Sequence, residues 1–346
     1  MTSPKPGVAF PHVENETVHL HPNGDAVLVI QSDPGRRYLV SSKTLQLASD
    51  YFDVLFRPTF AEGKATQNGE CPDIILKEDD PEAMAIILSI LHHRFSESHW
   101  VIKPQLLAKV AQHSDKYQCN LSLQPWISYW VRNVQGLSGI EEFGLMLTAA
   151  YFFRIQQHFS EMSATVIRNI PIDFDAVWAE HDIIGYLPQF VKDELKTHIY
   201  SVIDDIRFEV ESVEGSLRDA PGGFLMQRQY CLTCEGFHPA NARQCYPGDN
   251  EDPYDEMCTN QGRIAEYFDI LRRRHLWPTR SAFRYRSIAE LVTAIGNMES
   301  ETEKHKCAGG LSCPLITEIR LLYIKVKNRV ENIKGIGSNP DEGESH

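Results

Sequence analysis

Gly24-Asp25-Ala26-Val27-Leu28-Val29-Ile30, then Asp33-Pro34-Gly35, then Arg36-Arg37-Tyr38-Leu39-Val40-Ser41-Ser42 is the stretch on which the fold turns. The first run is aliphatic and β-branched, the composition of a buried strand. Asp33-Pro34-Gly35 is turn chemistry, so Tyr38-Leu39-Val40 returns as the second strand of a hairpin. Ser41 and Ser42 predict a helix start, because a hydroxyl there accepts from the orphan N–H groups of the first turn. Leu45, Leu47, Tyr51, Phe52, Leu55 and Phe56 are the apolar residues of that helix and the next, and Pro58 stops the run. A third strand follows at Asp73-Ile74-Ile75-Leu76-Lys77. Asp80-Pro81 then opens a helix in which Met84, Ile87, Leu88 and Leu91 share a face. Leu106, Leu107, Val110 and Ala111 mark a helix after Pro104, and Ile127, Trp130, Val131 and Val134 mark another after Pro125.

This order of hairpin, helix pair, strand and three helices resembles a BTB/POZ domain, and the chain as a whole resembles fungal BTB domain-containing proteins. The matching residues are Gly24-Asp25-Ala26-Val27-Leu28, Tyr38-Leu39-Val40-Ser41-Ser42 with Leu45, Ser49, Phe52 and Leu55-Phe56, and Phe60-Ala61-Glu62. Ile74, Leu76, Asp80-Pro81-Glu82-Ala83, Leu106, Ala111 and Lys116-Tyr117 complete the match. The resemblance implies a small mixed sheet flanked by helices that pairs with itself or docks other proteins. Some members of the family dock the cullin scaffold of a ubiquitin ligase through a hydrophobic-x-Glu motif, which Phe60-Ala61-Glu62 resembles. An exposed Phe beside a carboxylate makes sense as an anchor with a register-setting charge.

Composition bounds the rest. At 346 residues and 42% hydrophobic, the chain has room for two or three domains with cores of their own. A net charge of -13 weighs against binding nucleic acid, which depends on clustered Lys and Arg, and favours neutral or basic partners. Met1 to Pro22 has no apolar central run of the kind a secretory signal needs, and the longest apolar run falls short of the roughly 20 residues of a spanning helix. The expectation is a protein of the cytoplasm or nucleus with no membrane attachment. Its cysteines then read as free thiols or metal ligands before disulfides.

Beyond the first domain, Phe143, Leu147, Ala150, Tyr151 and Ile155 recur at helical spacing. Phe190, Leu195, Ile199, Val202, Ile203 and Ile206 mark a longer helix to about residue 210. Residues 211–262 are broken by Gly215, Pro221-Gly222-Gly223, Pro239, Pro247-Gly248 and Pro253. Asp204 to Asn260 carries twelve acids against four bases. The run Asp249 to Glu256 lacks the alternation and central Gly of a calcium loop and reads as a solvated loop. The last helix puts Leu315, Ile319, Leu322, Val326 and Val330 on one face and Arg320, Lys325, Lys327 and Arg329 on the other. The acidic remainder of the chain is the natural partner of that basic face. The expected fold class is α+β. A flexible tail spans 1–22, the BTB/POZ domain 23–134 and a helical domain 138–210. The acidic loop region spans 211–262, a helical C-terminal region 263–334 and a disordered tail 335–346.

Catalytic signatures are missing: there is no Gly-x-Ser-x-Gly, phosphate loop, dinucleotide fingerprint or His-Glu-x-x-His. His92-His93 reads as a helix end favoured by the dipole. Cys231-Leu232-Thr233-Cys234 lets two thiolates reach one ion from a tight turn. His305, Cys307 and Cys313 then offer a second pair, and the set Cys231, Cys234, His305, Cys307 and Cys313 is a candidate zinc staple for irregular backbone. Unrelated reduced thiols, or a redox Cys-x-x-Cys, are the alternatives. His238, Cys245 and Cys258 lie in the same irregular region. Cys71 and Cys119 read as core or near-core thiols. The expected function is non-enzymatic protein binding: a homodimer or a docked partner, with adaptor of a cullin-based ubiquitin ligase as its concrete form. The alternative is a zinc-bearing transcriptional or chromatin regulator.

Overall fold

The computed structural model describes residues 17–31, 35–134, 136–231, 236–239 and 254–337. The fold is α+β and mostly helical, in two compact units: Met1–Phe159 with Asp182–Leu187, and Ser160–His181 with Pro188–His346.

The first unit begins with β1 (Thr17–His19), β2 (Ala26–Ile30) and β3 (Arg36–Val40), followed by α1 (Ser42–Ala48), α2 (Asp50–Leu55) and α3 (Ala61–Gln67). It continues through β4 (Asp73–Leu76), α4 (Pro81–Leu91), α5 (Pro104–Lys116), α6 (Asn120–Asn133) and α7 (Ile140–Phe152). β2 and β3 form the expected antiparallel pair, with Leu28 opposite Tyr38. β4 joins β2 in parallel, Leu28 opposite Ile74, and β1 joins β3 in parallel, giving the order β1-β3-β2-β4. Leu28, Ile30, Tyr38, Val40, Ile74 and Leu76 are buried, the alternation that one covered sheet face requires.

Caps fix the helices of this unit. Ser41 Oγ accepts from Thr44 N–H at 3.3 Å, and Ser49 Oγ accepts from Phe52 N–H at 3.1 Å. Asp80 accepts from Glu82 and Ala83 N–H at 3.1 and 2.9 Å, with Pro81 at the first helical position. Ser42 instead bonds back to Asp25, its N–H at 2.7 Å and its hydroxyl at 2.6 Å, which ties the helix pair to the hairpin.

The second unit takes over within α8 (Gln156–Asn169) and adds α9 (Asp175–Trp178), while α10 (Asp182–Gly185) belongs to the first unit. α11 (Gln189–Asp219) is 31 residues long and leads into β5 (Phe224–Cys231), β6 (Gly236–Pro239) and β7 (Tyr254–Cys258). These three pair antiparallel in the order β6-β5-β7. α12 (Asn260–Arg273), α13 (Thr279–Ala282), α14 (Ile288–Gly296), α15 (Met298–Glu301) and α16 (Pro314–Glu331) complete the unit. The core of this unit is made by Ile199, Ile203, Ile206 and Val210 of α11, Tyr267, Ile270 and Leu271 of α12, and Ile319, Leu322 and Val326 of α16. The basic face of α16 meets the acids of α11, Lys325 on Glu209 at 3.0 Å and Arg329 on Asp205.

Several boundaries differ from the sequence reading. Residues 17–19 of the expected tail are strand, because three extended residues suffice to pair with β3. The helix expected to open a domain at 138 is α7, whose residues Phe143 to Ala150 are all buried; lacking a polar face, it is a core helix of the first unit. α6 starts before Pro125 rather than after it. The stretch 211–262 holds the end of α11, three strands and the start of α12, not only loop. At the C-terminus, Ile336 is buried and its N–H donates to Ser163 Oγ at 2.9 Å, so the chain is anchored past residue 335. Residues 1–16, the turn residues Asp33 and Pro34, the run 249–253 and the tail 338–346 lie outside the described residues.

Candidate metal centre

Three of the five sequence-nominated ligands converge, and a fourth residue joins them. Cys258, His305, Cys307 and Cys313 are all buried, and their ligand atoms lie within 4.8 Å of one another. Cys234 lies outside the described residues, as does the side chain of Cys231.

The three cysteines are each placed by local backbone structure. Cys258 ends β7, next to Thr259, which caps α12 by accepting from Gly262 N–H at 3.1 Å. Cys307 sits where 306–308 run beside β5. Gln227 N–H donates to the Lys306 carbonyl at 2.8 Å and Ala308 N–H to the Leu225 carbonyl at 2.7 Å. Gly309 then packs on the Phe224 ring, where an added Cβ would stand 2.9 Å from a ring carbon. Cys313 is the cap residue of α16, with Pro314 at the first helical position.

The distances suit a tetrahedral ion. Cys258 Sγ and Cys313 Sγ are 3.8 Å apart, and each lies 3.3 Å from His305 Nε2. Bonds of about 2.3 Å to sulfur and about 2.05 Å to nitrogen, at the tetrahedral angle, separate two sulfurs by about 3.8 Å and sulfur from nitrogen by about 3.6 Å. A disulfide needs about 2.05 Å, and these cysteines are free.

A further layer orients the ligands. Glu266 Oε2 lies 2.7 Å from His305 Nδ1, which leaves Nε2 for the ion, the usual carboxylate–imidazole–metal relay. Hydrogen bonding to Cys313, then to Glu266, pushes the His305 imidazole up to about 11. Burial is the largest influence on the Cys313 thiol and raises it, but the bonds from His305 and from the Leu315 backbone together outweigh it and leave the group below its ordinary value. A cation that takes the sulfur therefore displaces the imidazole proton. Arg263, fully buried, donates from Nε to Cys258 Sγ at 3.2 Å. A cleft of about 360 Å³ adjoins His305 and Glu266 and is lined by Arg228, Asp269, Arg273 and Lys304.

The other thiols differ from one another. Cys119 is buried in the core and pushed up to about 12 by that burial, so it is inert. Cys71 is exposed, not near-core as its sequence setting suggested, because it precedes a sheet-edge strand. Phe60 stands at the N-cap of α3 with 44% of its surface exposed, and Glu62 sits in the first turn, where the helix dipole favours a carboxylate. A second cleft, about 510 Å³, lies in the first unit between Asp80, Lys109, His113 and Lys116. Its cations are neutralised in place: Lys109 bonds Asp80 at 2.7 Å and Lys116 bonds the buried Asp79 at 2.5 Å. Among the described residues no helix is long and apolar enough to cross a membrane.

No known family model matches the chain, and no curated protein matches it.

Proposed function

We propose that this chain is a non-enzymatic protein-interaction protein of the cytoplasm or nucleus. Its first unit is the docking module, BTB/POZ-like in element order, and it binds a second copy of itself or another protein. In its most concrete form it is a substrate adaptor of a cullin-based ubiquitin ligase, with Phe60 and Glu62 at the contact. Its second unit presents another surface on a scaffold pinned by zinc at Cys258, His305, Cys307 and Cys313.

The observation that carries the docking reading is Phe60. A large apolar side chain 44% exposed at a helix start, two residues from an acid in the first turn, is the anchor-plus-charge pair that interface hot spots use. The pairing of the charges in the 510 Å³ cleft supports a structural role there rather than a reacting one. The regulator reading draws less support. The cations beside the metal centre are paired with carboxylates, Arg228 with Glu256 and Arg273 with Asp269 and Glu301, which leaves few charges for phosphates.

Pull-down with a cullin scaffold tests the adaptor form. The wild type is retained, and Phe60→Ala and Glu62→Ala each lower recovery at unchanged thermal stability. Equal recovery from all three removes this contact. Metal analysis of the purified chain tests the zinc: about one ion per chain is expected, and none ends the staple.

A further inference from the structure

Among the described residues, Arg263 is the one charged side chain in the set of largest, fully buried ones. Among the described residues no carboxylate forms an ion pair with it. Its Nη2 donates to the carbonyls of Gly222 and Cys258 at 2.6 and 3.0 Å, and its Nη1 to Asn260 Oδ1 at 3.2 Å. Its guanidinium lies 5.6 Å from the centroid of the Phe224 ring. Neutral carbonyls and an amide orient a cation but do not cancel its charge. A guanidinium removed from water and left unbalanced is among the costlier groups a fold can hold. The remaining partner among the described residues is Cys258 Sγ, 3.2 Å from Nε. A neutral thiol there would leave the charge unbalanced. A thiolate that is one of three on a divalent ion would balance it: with His305 neutral, three thiolates and one such ion carry one net negative charge.

We propose that Arg263 is the counter-charge and positioning residue of the metal centre, balancing an anionic three-thiolate site and fixing the Cys258 sulfur through its Nε–H. The inference rests on the zinc reading above and extends it. It explains in one step why an arginine is fully buried and why the centre tolerates three thiolates away from water. A donor on a metal-bound sulfur also draws electron density from it, so Arg263 sets how strongly Cys258 binds.

The test uses full-length protein loaded with cobalt(II) or zinc, comparing wild type with Arg263→Met, Arg263→Gln and Arg263→Lys. Arg263→Met and Arg263→Gln are expected to weaken zinc retention against a chelator by about 10- to 100-fold. They are also expected to move the thiolate-to-cobalt charge-transfer band to lower energy, a change that a merely structural arginine would not produce. Arg263→Lys, which keeps the charge, recovers part of both. Arg228→Met removes a nearby exposed cation and leaves both unchanged. If wild type binds cobalt while Arg263→Met keeps its affinity within about twofold and its spectrum is unshifted, the counter-charge is overturned and the zinc reading stands. The counter-charge is likewise overturned if Arg228→Met reproduces the shift. If wild type binds neither metal, the zinc reading falls and this one with it. Should the neutral variants fail to fold, wild type loaded with ¹¹³Cd and ¹⁵N-arginine decides. Coupling between the Arg263 Nε proton and cadmium supports the assignment, and an Nε proton signal without coupling overturns it.

Discussion

Cys258 completes the cluster of four ligand side chains able to hold a metal ion, and its contribution is directly measurable. Replacing Cys258 or Cys313 by Ser is expected to drop bound zinc from about one ion per chain to near none after chelator challenge, because a hydroxyl is a poor ligand for zinc beside a thiolate. Cys119→Ser, away from the centre, keeps the ion. Zinc titrated into chelator-stripped protein is expected to release protons to the buffer and to bind more weakly as pH falls, since His305 and the thiols must lose protons first. A pH-indicator titration reads both. The sequence exposed only part of this site. His305, Cys307 and Cys313 are close in the chain and could be grouped by spacing. Cys258 is 47 residues from His305, and nothing local marks it as their partner. The Cys231 and Cys234 pair is legible in one dimension as Cys-x-x-Cys, whereas a ligand that ends one strand of a sheet is legible only after the sheet exists.

Elements, rather than residues, hold the first unit at neutral pH. His92 caps α4 and receives the Ser41 N–H on Nε2 at 3.1 Å, while its Nδ1 donates to the Leu88 carbonyl at 2.9 Å. His113 of α5 receives the Asp80 N–H on Nε2 at 3.0 Å. Both rings must be neutral to accept, and burial holds both below the ordinary histidine value. The unfolded chain therefore binds protons that the folded one refuses. Stability is full above the ordinary value of about 6.5 and is lost as pH falls from there through the folded values. Urea melts at pH 7.5 and 5.5 should show the midpoint falling on acidification, with a smaller fall in His113→Gln. The α3 element makes a separate prediction. A Cβ on Gly63 would stand 2.1 Å from the Arg57 carbonyl oxygen. Gly63→Ala, elsewhere a gain in a helix, is expected to destabilise by about 2 kcal/mol or more and to disturb the nearby Phe60 and Glu62. The hairpin, the helix starts at Ser41 and at Asp80-Pro81 and the order of the long elements are readable from alternation, turn and cap residues, whereas the Ser49 cap is not marked. The unit to which α7 belongs is not legible in the sequence, because a helix buried on every side from Phe143 to Ala150 carries no directional pattern to say what covers it.

For the molecule as a whole, the instructive point is how the chain is shared between its two units. Ile184 is fully buried and belongs to the first unit, although the residues on both sides of Asp182–Leu187 belong to the second. Ile184→Ala is expected to cost about 2–4 kcal/mol and to lower the melting midpoint of the first unit. A fragment ending at residue 159 should melt lower than the same unit in the full chain. Charge is distributed on the same scale. A net charge of -13 sits on a chain whose last long helix is basic, and that helix is neutralised by Asp205 and Glu209. The discontinuity also sets a timetable. A ribosome delivers Phe159 before Asp182, so the first unit leaves the exit tunnel with its α7 surface still waiting for six residues. Those residues arrive only after part of the second unit has been made. A nascent chain stalled between these points would present an unfinished apolar face to chaperones, and a pause after Leu187 would not.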